Sequence, residues 1–194
     1  LRVDLESLTA LPPIAIPASG SAVLEGLNGQ AYVVGASEID QFDATTGELQ
    51  HAFAKKNTFV YGRIAMSTDR RTLYVARAGS DGALLSYDIS GPVPVLLQQL
   101  TGSFPSVAPS RDGQFLYYGK TGTDGDTLFQ ARLPTFLPAT SIASGPYLGP
   151  TTEAPSGAIF EGFSPLQNEV FGPSGSYAVY DPISLQKTAE IPLG

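Results

Sequence analysis

One short phrase recurs about every 42 residues along this chain, and it constrains the fold more than any other feature. In each copy, an alternating segment ends in a β-branched or aromatic residue followed by an acid or an amide. The copies are Val3-Asp4, Phe42-Asp43, Tyr87-Asp88, Phe129-Gln130 and Tyr180-Asp181, with Gln130 interpreted as the replacement for Asp. A period of this length with four short strands per unit is typical of propeller blades. The sequence therefore predicts an all-β fold, a β-propeller with four antiparallel strands in each blade.

The second complete repeat shows the four strands most clearly. We label them a to d from the inside of a blade to the outside, and predict them at Gly62–Met66, Thr72–Ala76, Ala83–Asp88 and Val93–Leu100. Runs of β-branched and aromatic residues bounded by Gly, Asp and Pro are strand signals. No segment of ten or more residues carries a helical apolar stripe, so almost no helix is expected.

The same pattern predicts a half-blade followed by four complete blades. The predicted bounds are 1–17 for the half-blade, then 21–55, 61–100, 104–146 and 156–194. In the last blade, strand a is predicted at Ala158–Phe160 and strand b at Glu169–Phe171. Residues 134–156 contain five prolines and are interpreted as a long irregular insertion, with an extended outer strand and a turn as the alternative.

The predicted strands do not close a ring. Strand c occurs five times but strands a and b only four times, because the half-blade supplies only strand c (Leu1–Leu5) and strand d (Pro13–Pro17). Four and a half blades would leave exposed sheet edges. We therefore expect the chain to be part of a larger propeller of seven or eight blades. The alternative is a ring shared with a second chain, and open edges would also allow self-association.

The composition excludes several classes of function. The net charge is −7 with only 11 Lys and Arg, which argues against binding to nucleic-acid phosphates. The absence of cysteine excludes disulfides, thiolate nucleophiles and Cys-ligated metals. No apolar run approaches the roughly 20 residues that span a bilayer. An extracellular, periplasmic or cell-surface location is our working expectation.

Two phrases of the second repeat resemble a known family. Thr72–Ala76 and Leu85–Ile89 are similar to the repeats of YVTN-type propellers and of the wider lactonase-like propeller group. Further matching pieces are the Ser67/Asp69 and Ser110/Asp112 turns and the closing Ile191–Gly194. The resemblance implies a propeller over almost the whole chain. Its motifs are structural, so it does not place an active site on these residues.

The repeated Asp after strand c is predicted to accept backbone N–H bonds in the turn into strand d. The single histidine, His51, is predicted on an outer strand, where neither a catalytic triad nor a metal centre can be built around it. Asp124 and Asp126 are weak candidates for a cation site. A plain hairpin loop between strands b and c is the alternative there, and no metal or other cofactor is expected.

Five residues are weak candidates for ligand binding. Arg63 lies on a predicted inner strand beside Tyr61, and Glu161 follows another segment predicted to be an inner strand. Arg77 and Lys120 belong to the face built from the d–a and b–c loops, which is where propellers commonly bind partners. The alternative is that these charged side chains are merely solvated at a channel mouth.

These observations favour a binding protein that is not an enzyme. We predict a propeller scaffold that binds a protein, a peptide or a surface polymer through its loop face. Two alternatives stay open: part of a lactonase-like propeller enzyme, and a structural subunit of an extracellular or cell-surface assembly.

Overall fold

The computed structural model describes residues 2–3, 10–11, 23–35, 37–55, 62–123, 125–145, 148–153, 159–163 and 176–192. Within these ranges the regular secondary structure is β-strand apart from one 3-10 turn at Leu27–Gly29, which confirms the predicted all-β fold. No helix in the described ranges could cross a membrane. The chain divides into two compact units, Leu1–Thr58 and Phe59–Gly194.

The first unit contains a two-stranded pair and one four-stranded antiparallel sheet. The pair joins β1 (Arg2–Val3) to β2 (Ala10–Leu11). The predicted strand at Pro13–Pro17 lies outside the described residues. The sheet, which we call the first blade, follows chain order and consists of β3 (Val23–Glu25), β4 (Gln30–Val34), β5 (Ile39–Asp43) and β6 (Leu49–Phe53).

The second unit contains three more four-stranded antiparallel sheets, each again in chain order. The second blade consists of β7 (Gly62–Met66), β8 (Thr72–Arg77), β9 (Ala83–Asp88) and β10 (Val95–Thr101). The third blade consists of β11 (Ser103–Pro109), β12 (Phe115–Gly122), β13 (Gly125–Arg132) and β14 (Pro138–Gly145). The fourth blade consists of β15 (Leu148–Glu153), β16 (Ile159–Phe163), β17 (Ser176–Tyr180) and β18 (Lys187–Pro192).

Neighbouring blades of the second unit meet through their first strands. The inner strand β11 contacts β7 and β8 of the second blade, and β15 contacts β11 and β12 of the third. Each sheet therefore runs outward from the side where the blades converge, as strands a to d do in a propeller. The buried side chains pack between consecutive sheets. Phe104 and Tyr118 of the third blade, for example, lie in one cluster with Tyr74 and Leu84 of the second.

The irregular insertion predicted at residues 134–156 is wrong, whereas the alternative of an extended outer strand is confirmed by β14. Most of this segment forms β14 and β15, so the inner strand of the fourth blade is Leu148–Glu153, and Ile159–Phe160 belongs to the second strand. Proline misled the prediction because it cannot donate to a central ladder, yet both strands are sheet edges, where it is tolerated. Pro150 lies where the register of β15 shifts. The predicted strand Glu169–Phe171 lies outside the described residues.

The alignment of the third repeat also needs correction. Asp88 pairs with Thr72 at the start of β8, and Arg132 pairs with Phe115 at the start of β12. Arg132, not Gln130, is therefore the counterpart of Asp88. Gln130 pairs with Tyr117 in β12, as Ser86 pairs with Tyr74 in β8.

The aspartates after strand c form the turns that the sequence predicts. Backbone amides donate to the Asp43 carboxylate from Thr45 and Thr46, at 2.7 and 2.8 Å. Asp181 accepts the amides of the two residues Ile183 and Ser184 in the same way, at 3.0 and 2.8 Å. The predicted turn-forming role of these aspartates is confirmed.

Candidate functional site

The antiparallel order gives each blade of the second unit two different ends. The a–b and c–d connections lie at one end, which we call the a–b end, and the b–c connection lies at the other, the b–c end. The sequence analysis placed the ligand face at the b–c end.

Two of the predicted ligand residues, Arg63 and Arg77, lie at the b–c end of the second blade but on opposite faces of its sheet. Arg77 is the last residue of β8 and pairs with Gly62, the neighbour of Arg63. Arg63 is exposed, whereas Arg77 is only 7 % exposed. Burial lowers the pKa of the Arg77 guanidinium, and the charges of Tyr87 and Asp81 oppose that shift.

The b–c end of the third blade carries Lys120 and Asp126 on adjacent strands. Lys120 is half-buried and Asp126 is buried. Asp124, like Tyr61, lies outside the described residues. No three His, Cys, Asp or Glu side chains in the described ranges converge in a group that could hold a metal ion.

Glu161 and His51, the other residues considered in the sequence analysis, lie on the fourth and first blades. Glu161 is in β16, the second strand of its sheet, so its predicted place on an inner strand is wrong. Its neighbours across the ladder are Thr151 and Ala178. His51 is on β6, the outer strand of the first blade, as predicted.

The a–b end of the second unit carries a feature that the sequence analysis missed. A cleft of about 600 Å³ lies between the second and third blades. Its floor is formed by Tyr74 and Ser86, which are partners across the β8–β9 ladder and are 4 % and 3 % exposed. Two buried hydroxyl groups therefore lie at the bottom of a cleft whose rim is exposed.

The two floor hydroxyls keep their protons at neutral pH. Burial raises the pKa of Tyr74 to about 12, and the nearby Asp69 charge contributes to the shift, while a hydrogen bond from Thr72 opposes it. No residue in the described part of the chain hydrogen-bonds to the Ser86 hydroxyl. Ser86 therefore presents a hydroxyl donor at the floor to whatever enters the cleft.

The walls of the cleft are largely apolar. Leu97 of β10 forms one side, and Leu133 and Pro134 of the c–d turn of the third blade form another. The Gln98 side-chain amide donates a 2.6 Å hydrogen bond to the Pro134 carbonyl, which ties the outer strand of the second blade to that turn. These contacts hold the walls in place.

The rim is formed by the a–b turns of the two blades. The Ser67 hydroxyl donates to the Asp69 carboxylate and the Ser110 hydroxyl to Asp112, each at 2.6 Å. These bonds are the largest cause of the lowered pKa of both carboxyls, so both are ionised at neutral pH. The Thr68 hydroxyl donates to the carbonyl of Arg111 at 2.9 Å, and this bond joins the two turns.

The corresponding place between the third and fourth blades is filled. Tyr117 and Gln130 have the register positions of Tyr74 and Ser86. The Tyr117 hydroxyl donates to the carbonyl of Pro182 at 3.2 Å, and the Gln130 amide donates to the same carbonyl. The cleft exists where it does because serine is much shorter than glutamine and does not reach the neighbouring blade.

Solved structures share this architecture. Hydrazine synthase of Kuenenia stuttgartiensis is similar over 88% of this chain and 48% of its own, with a TM-score of 0.70 and 15% identity. The β-propeller domain of Cps50 (Swd1) from Myceliophteria thermophila is similar over 73% of this chain and 49% of its own, with a TM-score of 0.60 and 13% identity. The fold is a β-propeller.

At this identity the likeness extends to the fold alone, and the chain spans about half the length of both structures. No protein-family model and no curated protein matches the chain. The resemblance to YVTN-type and lactonase-like repeats therefore stays a prediction.

Proposed function

We propose that this chain is a propeller scaffold that binds an extended segment of a partner protein in the cleft between its second and third blades. The observation that carries the proposal is the cleft itself, which has apolar walls, an exposed rim and the buried hydroxyl of Ser86 at its floor. Ligand sites in proteins combine an apolar lining with a few polar groups in this way.

The size of the cleft suits a short peptide segment. Its volume of about 600 Å³ lies within the range of roughly 300 to 1,000 Å³ that is usual for ligand sites. The rim residues Thr68 and Arg111 are exposed, so a longer chain can enter and leave the cleft. An extended peptide is favoured over a compact ligand because the cleft follows the junction between two blades.

The acidic residues at the rim support binding rather than catalysis. A carboxyl that acts as a general acid near neutral pH needs a raised pKa. The pKa values of Asp69 and Asp112 are instead lowered, and both side chains are engaged in their own turns. Turnover of simple esters, lactones or glycosides would count against the proposal.

A random decapeptide library displayed on phage tests the proposal. Peptides selected on the wild-type chain would be synthesised, and their dissociation constants measured by fluorescence anisotropy. Ser86→Gln places in the cleft the side chain that fills the next junction, so it should weaken binding at least tenfold. Ser80→Gln is the matched control, because Ser80 is exposed in the b–c connection of the same blade.

Ser86→Gln and Ser80→Gln are expected to differ in their affinity for the selected peptides. Loss of binding in Ser86→Gln with retention in Ser80→Gln supports the cleft. If the selected peptides bind Ser86→Gln as tightly as wild type, the proposed function is wrong. Selected peptides that respond instead to Lys120→Gln would place binding at the b–c end.

A further inference from the structure

The junction between the third and fourth blades shows what the floor of the cleft is built to bind. There, the Tyr117 hydroxyl and the Gln130 amide converge on one backbone carbonyl, that of Pro182. Both donors are buried, at 2 % and 4 % exposure. A single peptide carbonyl thus satisfies a tyrosine of strand b and a polar residue of strand c.

The second blade has the same pair of donors without the carbonyl. Tyr74 and Ser86 take the register positions of Tyr117 and Gln130. Leu133 is the counterpart of Pro182, since each follows the residue at the Asp88 position, which is Arg132 in the third blade and Asp181 in the fourth. Leu133 lines the cleft, but its carbonyl makes no hydrogen bond to either Tyr74 or Ser86. Among the described residues, Tyr74 and Ser86 therefore lack the backbone acceptor that Tyr117 and Gln130 share.

A hydroxyl at the floor of a cleft can donate to a ligand that enters, and such a hydrogen bond is stronger where the ligand excludes water. From this, and resting on the proposed function, we infer that the cleft recognises the backbone carbonyl of a proline residue in a peptide segment of the partner, with the Ser86 and Tyr74 hydroxyls as donors. Proline suits the site because its restricted φ lowers the entropy cost of ordering the peptide, and its ring packs against aromatic and apolar walls.

The chain supplies its own probe. A fluorescein-labelled decapeptide that copies Ala178–Lys187 presents the Pro182 carbonyl in its natural sequence. Its dissociation constant would be measured by anisotropy against the wild-type chain, Ser86→Ala and Ser86→Gln. A second peptide carries a thioamide in place of the Pro182 carbonyl, which weakens the acceptor and leaves the chain sequence unchanged.

The inference predicts three results. Ser86→Ala, which removes only the hydroxyl, should weaken binding of the decapeptide about three- to tenfold. The thioamide should weaken binding to the wild-type chain by a similar factor, and should have little effect on binding to Ser86→Ala. Ser86→Gln should abolish binding, while the control Ser80→Ala should bind as wild type does.

The inference and the proposed function fail in different ways. If Ser86→Gln abolishes binding of peptides but Ser86→Ala and the thioamide leave it unchanged, the cleft binds peptides by apolar contact and carbonyl recognition is wrong. Absence of binding of the decapeptide up to about 1 mM also overturns carbonyl recognition. Peptide binding that is indifferent to Ser86→Gln removes the proposed function itself.

Discussion

Arg70 and Gly113 occupy the same position in two equivalent a–b turns, and both have a positive φ, of 57° and 71°. The amide of each donates to the carbonyl of the serine that opens its turn, at 2.9 Å from Arg70 to Ser67 and at 3.0 Å from Gly113 to Ser110. Glycine adopts this conformation freely, whereas a residue with a Cβ is strained in it. One of the two turns therefore carries strain that the other avoids.

Replacing Arg70 by glycine should stabilise the protein. We expect Arg70→Gly to raise the free energy of unfolding by about 0.5–1 kcal/mol, because relief of strain exceeds the added entropy of the unfolded chain. Arg70→Ala keeps the strain and removes the exposed side chain, so it should leave stability unchanged. Urea denaturation would measure both, and equal stabilities of the two variants would contradict the strain.

Leu185, in the c–d turn of the fourth blade, also has a positive φ, but there the burial of the side chain outweighs the backbone strain. Its φ is 54°, at a position where the first blade has Gly47 with a φ of 77°. Leu185 is fully buried beside Tyr117 and Leu128. We expect Leu185→Ala to lower the free energy of unfolding by roughly 2–4 kcal/mol, because a buried leucine is lost. Leu185→Gly should be no less stable than Leu185→Ala, since relief of strain offsets the lost methyl group. Thermal and urea unfolding of the two variants would test this order.

The lowered pKa of Asp112 makes stability depend on pH in a defined direction. Its hydrogen bonds from Ser110 and the Gln114 amide favour the ionised form. The stabilisation is therefore complete above the unfolded pKa near 4 and is lost as pH falls through the lower folded pKa. Asp112→Asn should lower the urea midpoint at about pH 7 and differ less from wild type as pH approaches about 2. A constant difference across that range would contradict the assignment.

Asp40 should show the reverse dependence. It is buried in β5 at the register position that Leu85 has in the second blade, and desolvation, followed by the charge of Glu38, raises its pKa against an opposing effect of Lys55. The ionised form therefore destabilises the fold as pH rises through the folded pKa. Asp40→Asn should be more stable than wild type at about pH 7 and equal to it below about pH 4. Unfolding curves at both pH values would show whether the difference disappears.

The outer strand of the second blade is a candidate for self-association. Val95, Leu96 and Leu97 are about half exposed on β10, which is the edge of its sheet. Exposed apolar edge strands pair with other chains, and a lysine on such an edge opposes this. Leu96→Lys should lower the average mass measured by light scattering at high concentration. Gln99→Lys adds the same charge on the same strand without removing an apolar side chain, and equal effects of both variants would assign any change to charge alone.

Strands with strong local alternation were predicted almost residue by residue. The bounds of β7 and β9 agree with the prediction, because their apolar residues alternate and turn residues flank them. The strand β15 was missed because its sequence, with Gly149 and Pro150, carries no such signal. It is a strand because β16 lies beside it, and a sheet edge accepts residues that a central strand would reject.

The candidate cleft could not be found from local sequence. Its signal is that Ser86 is short where Gln130 is long, and this comparison requires the two residues to be aligned. The periodic phrase aligned Gln130 with Asp88 instead, an error of two residues that only the ladder pairing corrects. Tyr117 and Gln130 can be read from the sequence, but the Pro182 carbonyl to which both donate comes from another blade.

The amino-acid sequence by itself determined the period, the four-stranded unit and the aspartate turns, because alternation and turn chemistry act between residues close together in the chain. The tertiary structure alone decided which end of the blades carries a cleft and which polar side chains are satisfied there. That outcome depends on whether a side chain of one blade is long enough to reach the next. Such a distance is set by packing between residues that lie far apart in the chain, 52 and 65 positions in the contacts with Pro182.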